Sequence, residues 1–160
     1  MQSNPADVRS KMVADYSVAP DGDPDYNTGY YPLKYPGNAG ASVPAYTNNI
    51  KVIRLSEVAL IAAESALKTG GDAAGYMNML RSNRISGYED VSYVTLEDIL
   101  NERRKELFAE GQIAFDYWRN GKTVVNGSLS TGPDNYRTVL PLPKEEIDIA
   151  KGVLRQNPGY

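Results

Sequence analysis

Asp98, Glu102, Glu106 and Glu110 stand four residues apart, so on a helix four carboxylates share one side. Such a line has two chemical uses: carboxylates on facing helices can hold paired metal ions, and two across a cleft can act as general acid and base. Helix-borne sites of the first kind add a histidine three residues after a glutamate, and this chain has none, so no metal is expected here. A glycosidase needs only two carboxylates, and twenty acidic residues supply many pairs. No spacing favours any one of them, and no catalytic residue is assigned. The remaining expectation is structural, because four aligned carboxylates repel one another unless cations intervene. Glu102 with Lys105 and Arg103 with Glu106 relieve part of this locally, and Arg54, Arg81, Arg84 and Arg119 are candidates from other segments. The expected network therefore comprises Arg54, Glu57, Arg103, Glu106, Glu110, Asp116 and Arg119, with Arg54 one turn from Glu57 and Arg103 reaching a neighbouring helix from within an apolar stripe.

The second group with chemical potential lies in residues 1–49, which hold six of the ten prolines and six of the twelve tyrosines. A tyrosine ring stacks on the apolar face of a pyranose while its phenol adds a hydrogen bond, and nearby amides complete such sites. Tyr26, Asn27, Tyr30, Tyr31, Tyr35 and Tyr46 are the candidates, with Tyr16, Asn38, Asn48 and Asn49 close by. The alternative is that these rings pin an irregular segment onto a helical core. Asp21, Asp23, Asp25 and Asn27 imitate the first half of a calcium loop, but Tyr26 and Pro32 fall where an EF-hand needs Gly and Glu. A solvated acidic turn is the expectation there.

Five segments must position these residues. The prolines make residues 1–49 a long ordered loop or an edge strand rather than a helix. Arg54 to about Thr69 reads as a buried helix with Leu55, Val58, Ala59, Ala62 and Ala66 on one side. Gly70-Gly71 ends it, and Asp72 caps a second helix over about Ala73 to Ile85 with Tyr76, Met79 and Leu80 inward; so short a turn makes the two antiparallel. Thr95 and Asp98 open the third, whose apolar stripe is Leu96, Ile99, Leu100, Leu107 and Phe108, with Gly111 at its C-cap. A short helix then runs from Ile113 to Gly121. Lys122 to Thr138 reads as a surface loop, Val139 to Pro143 as extended chain, and Lys144 to Ala150 as a short helix anchored by Ile147.

Composition narrows the function classes further. Without cysteine or histidine there is no disulfide, thiolate site, usual zinc site or Ser-His-Asp triad, and no cofactor is expected. The formal net charge of −3, with both signs interspersed, carries no nucleic-acid footprint. No apolar run reaches the roughly twenty residues of a membrane span, and Met1 to Pro5 lacks the features of a signal peptide.

Three ordered motifs carry a family resemblance. Glu102-Arg103-Arg104-Lys105-Glu106-Leu107 through Glu110-Gly111, followed by Phe115-Asp116 and Arg119, resembles the signature of the SusD/RagB family. Ile53-Arg54-Leu55-Ser56-Glu57 through Ala63-Glu64-Ser65-Ala66 is similar to a helix of that family, and Leu140-Pro141-Leu142-Pro143 with Gln156-Asn157-Pro158-Gly159-Tyr160 resembles its ending. The match covers about residues 50–160 and departs at Ile113-Ala114 and at Ala150-Lys151-Gly152.

The resemblance implies a mainly α fold of tetratricopeptide-like helical hairpins with long irregular loops, residues 1–49 packing on a helical region at 50–160 within one structural domain. It also implies a non-catalytic, glycan-binding lipoprotein at the surface of the bacterial outer membrane. Such a protein binds oligosaccharide or polysaccharide and hands it to a SusC-like TonB-dependent transporter. The lipid anchor and signal peptide would lie outside this chain, which on this reading is an expressed C-terminal fragment. The alternative function is a helical-repeat scaffold that docks protein without a sugar site of its own.

Overall fold

The computed structural model describes residues 4–16, 29–35 and 51–160, grouped into two compact units, Met1–Gly111 and Gln112–Tyr160. The candidates Tyr26, Asn27 and Tyr46 and the acidic turn at Asp21 lie outside the described residues.

In the first unit, Asp7 accepts a hydrogen bond from the Arg9 amide and opens a 3-10 helix over Val8–Met12. Strand β1 (Val13–Tyr16) comes next and pairs antiparallel with β2 (Gly29–Pro32), Val13 opposite Pro32 and Asp15 opposite Tyr30. Part of the proline- and tyrosine-rich segment is thus a two-stranded ribbon. Backbone bonds tie its N-terminal approach to residues 84–86: the Val8 amide donates to Arg84 O at 2.9 Å, and the Ser86 amide donates to Ala6 O at 3.0 Å.

Helices α1 (Leu55–Thr69), α2 (Ala73–Ser82) and α3 (Leu96–Glu106) complete the unit. Each boundary has a local cause. Gly70 ends α1 at φ 77°, a left-handed conformation that costs glycine little. Asp72 caps α2 by accepting from the Gly75 amide, and at Gly75 a Cβ would come within 2.2 Å of that carboxylate. Thr95 and Asp98 form a reciprocal capping box at the start of α3.

The third helix stops at Glu106, a turn before the Gly111 cap that the sequence suggests. Ala109 is left-handed at φ 61°, and the side chains of Lys34 and Arg54 occupy the terminal carbonyls.

The core lies among the three helices: Leu60 and Ala63 of α1, Ala73, Ala74, Met77 and Leu80 of α2, Val94, and Ile99 of α3. Burying each of the larger ones contributes about 1.5–3 kcal/mol. Two expected faces are rotated. In α1 the buried residues are Ser56, Ala59, Leu60, Ala63 and Glu64, whereas Leu55 and Val58 are exposed. In α2 Met77 replaces Tyr76 and Met79, both of which are exposed. A helix apolar on several sides does not declare which side meets its neighbour.

The second unit begins with α4 (Ile113–Arg119), closed by Gly121 at φ 69°. The expected surface loop after it contains a β-hairpin of β3 (Val124–Asn126) and β4 (Leu129–Thr131). Gly127 turns it at φ 59°, and Asn-Gly between extended residues is the local signal for such a turn. The Trp118 indole N–H donates to Thr131 O at 3.0 Å.

After α5 (Lys144–Ile149) the chain ends in a clamp. The Gln156 amide both accepts from the Leu142 N–H (2.8 Å) and donates to Leu142 O (2.9 Å), Asn157 Nδ2 donates to Leu140 O, and the Tyr160 hydroxyl donates to Val139 O. Tyr160 packs edge-on against Tyr136 at 5.1 Å. The Leu-Pro-Leu-Pro and Gln-Asn-Pro-Gly-Tyr stretches are two halves of one contact.

Candidate functional site

The acids of α3 and of the turn that follows it face cations from four other segments. Glu102 accepts from Arg9 Nη1 at 2.6 Å and from Arg81 Nε at 2.8 Å. Glu106 accepts from Arg54 Nη1 at 2.9 Å, Arg84 Nη2 at 3.0 Å and Arg9 Nη1 at 3.2 Å. Glu110 takes the Arg54 guanidinium at 2.9 Å and the Lys34 ammonium. Asp7 closes the far side of Arg9 through two bonds of 2.9 and 2.8 Å. Five cations and four carboxylates are thus interleaved around one face of α3, and Arg9 at the centre is 0% exposed.

The same cations finish the helix. Lys34 Nζ donates to Glu106 O at 2.7 Å and Phe108 O at 3.2 Å, and Arg54 Nη2 donates to Glu106 O at 2.6 Å. Carbonyls that a helix end leaves without partners are met here by positive groups, the sign its dipole favours.

The electrostatics arise from this crowding. Burial pushes the Glu106 carboxyl up, but hydrogen bonds from Arg84 and Arg54 outweigh it and hold the group down at about 2. Glu110 is lowered in the same way, burial being overcome by Arg54 and Lys34. Burial lowers the Lys34 ammonium, and Glu110, shared with Arg54, offsets only part of that. For Arg9 burial also acts downward, yet Asp7 and Glu102 hold the guanidinium above its ordinary value. These acids are committed anions rather than groups poised to exchange protons.

Several pairings differ from the sequence expectation. Glu102 binds Arg9 and Arg81 rather than Lys105. Glu106 binds Arg9, Arg54 and Arg84 rather than Arg103. Arg54 reaches across to Glu106 and Glu110, so Glu57 makes no ion pair among the described residues; within the first turn of α1 the Arg54 guanidinium donates to the Ser56 hydroxyl instead. Arg103 is buried at 3% exposure within the stripe. Arg119 pairs with the buried Asp116 three residues before it, at 2.9 Å.

Of the tyrosine candidates, Tyr30 and Tyr31 contribute their backbone to β2. Tyr35 is exposed, left-handed at φ 61°, and its hydroxyl donates to Glu110 Oε1 at 3.2 Å. It therefore stands against the ionic network. Arg9, Asp7 and Lys34 were beyond sequence reasoning: Arg9 and Glu102 are 93 positions apart, and no local spacing marks such a pair.

Fold and site together define a helical-hairpin scaffold whose charged residues are spent on joining segments. A family model described as the SusD family matches residues 9–160, and the chain belongs to that family. It is 31% identical over 121 residues to the starch-binding protein SusD of Bacteroides thetaiotaomicron, covering 70% of this chain and 22% of that protein. A SusD superfamily protein from the same organism has a crystal structure that superposes with a TM-score of 0.81 at 37% identity, over 97% of this chain and 38% of that one. Surface glycan-binding protein A, also from B. thetaiotaomicron, superposes with a TM-score of 0.66 at 31% identity, over 82% of this chain and 31% of its own. The chain thus spans between about a fifth and two-fifths of the length of each of these. The architecture is the mainly helical, tetratricopeptide-like one that the motifs imply. Among the described residues no helix is long and apolar enough to cross a membrane.

Proposed function

We propose that this chain is part of a non-catalytic, surface-exposed glycan-binding protein of the bacterial outer membrane. It would present oligosaccharide or polysaccharide to a SusC-like TonB-dependent transporter. The observation that carries the proposal is family membership over residues 9–160, with relatives named for binding starch and surface glycan. The geometry gives the most conspicuous carboxylates, Glu102, Glu106 and Glu110, a structural role, since all three are bound by guanidinium or ammonium groups. A carboxyl held near 2 does not serve as a general acid at neutral pH. The aromatic candidates Tyr26, Tyr30, Tyr31, Tyr35 and Tyr46, with Asn27, belong to this proposal as the residues that would meet sugar.

A second reading is favoured by one observation. Leu55, Ala59, Met79 and Leu80 line an open groove of about 310 Å³ between α1 and α2, and an apolar groove between helices suits a scaffold that docks protein. Calorimetric titration of the chain with maltoheptaose, laminarihexaose and xylohexaose, with reducing ends assayed alongside, tests the first reading. Saturable heat without new reducing ends is expected; release of reducing ends, or no heat with any of the three, would overturn it.

A further inference from the structure

Tyr93 is 76% exposed, although the loop carrying it is held on both sides. Asn78 of α2 clamps Val91 through its whole amide, Nδ2 donating to Val91 O at 2.9 Å and Oδ1 accepting from Val91 N at 3.1 Å. The Tyr88 hydroxyl donates to the same Oδ1 at 2.9 Å. On the other side Val94 is buried in the core. Between these anchors the backbone displays the Tyr93 ring to solvent. A large exposed aromatic adds little to folding, and a fixed loop has already lost most of the freedom that ligand binding would remove.

The ring borders an open groove of about 430 Å³, lined also by Arg81, Asp90, Ser92 and Asp98. Asp98 is drawn below the usual carboxylate range by hydrogen bonds from the Thr95 hydroxyl and amide, both to Oδ2. Among the described residues neither the Tyr93 hydroxyl nor the Asp90 carboxylate has a side-chain partner. Arg81, the one cation of the lining, is committed to Glu102 at 2.8 Å. The groove thus offers an aromatic face, two carboxylate acceptors, a serine hydroxyl and a single cation that already pairs with Glu102.

We propose that this groove is a pyranose subsite for neutral sugars, with the ring stacked on Tyr93 and its hydroxyls donating to Asp90 and Asp98. A uronate or sulfated sugar would meet two carboxylates there and is rejected. The assignment rests on the reading of this chain as a glycan binder but concerns a place apart from the tyrosines of residues 1–49.

The test is an amide NMR titration of the whole chain with maltoheptaose, laminarihexaose, xylohexaose and hexagalacturonic acid. At least one neutral oligomer is expected to shift Ser92, Tyr93 and Asp98, and the acidic one to leave them in place. Tyr93→Ala should weaken that neutral ligand by about tenfold or more, with a melting midpoint within about 2 °C of the parent because the ring is exposed. A neutral oligomer that binds with unchanged affinity to Tyr93→Ala overturns the subsite and leaves the glycan reading standing. Binding of none of the neutral oligomers overturns both. Equal binding of hexagalacturonic acid at this groove overturns the charge selection.

Discussion

Arg9 shows how far one residue can depart from its surroundings in sequence. It stands after Val8 in a segment with no apolar periodicity, yet its guanidinium is fully buried and touches Asp7, Glu102 and Glu106. Removing one partner of a buried cluster leaves the others charged and unmatched, typically at 3–5 kcal/mol. Arg9→Met should therefore lower unfolding free energy in urea by about 3 kcal/mol or more. Lys105→Ala, on the half-buried flank of the same cluster's helix, should stay within about 0.5 kcal/mol. Arg103→Ala is likewise expected to cost more than Lys105→Ala, since Arg103 is buried at 3% exposure. Equal small effects in all three melts would mean that the cluster contributes nothing net.

Among the elements, the C-terminal clamp makes the sharpest prediction. Gly159 adopts φ +97°, and a Cβ there would lie 2.5 Å from Tyr136 Cγ, a distance the ring can accept only by leaving Tyr160. Gly159→Ala should abolish the edge-on Tyr136–Tyr160 contact, read from the ring-current shifts of both residues. It should also speed amide exchange at Leu142 about tenfold as the Gln156 bonds loosen. Unchanged ring shifts would show that the clamp tolerates a side chain.

Local signals made several elements readable in advance. The Thr95 and Asp98 capping box, the Gly70 stop, the Asp72 cap and the Gly121 stop each act within four residues, which a linear reading can see. The Asn126-Gly127 hairpin was readable too, but the surrounding Gly, Asn and Ser residues gave it the look of a loop. Where α3 ends was not readable, because Lys34 and Arg54, which take its terminal carbonyls, come from segments more than fifty residues away.

At the scale of the whole molecule, the ionic cluster governs how stability responds to acid. Glu106 moves from an ordinary 4.5 to about 2 on folding. A group lowered in the folded state adds stability that is fully present above its unfolded value and is lost as pH falls through the folded one. Urea midpoints should thus hold steady from pH 7 to about 5, then fall between about pH 4.5 and 2, with Glu106 alone accounting for roughly 3 kcal/mol. Glu106→Gln should be less stable at pH 7 and should flatten that acid limb. A parent whose midpoint does not move between pH 5 and 2.5 would contradict the assignment.

The sequence by itself determined the family, the mainly helical class, the caps and the presence of acids in need of cations, because each is written in neighbouring residues or in residue types. Only the tertiary structure decided which cations answer which acids. It also decided which sides of α1 and α2 face inward, and that Arg9 and Lys34, from a segment without helical pattern, bind α3. Those outcomes depend on contacts between residues distant in the chain, and the energy that selects them exists only once the segments have met.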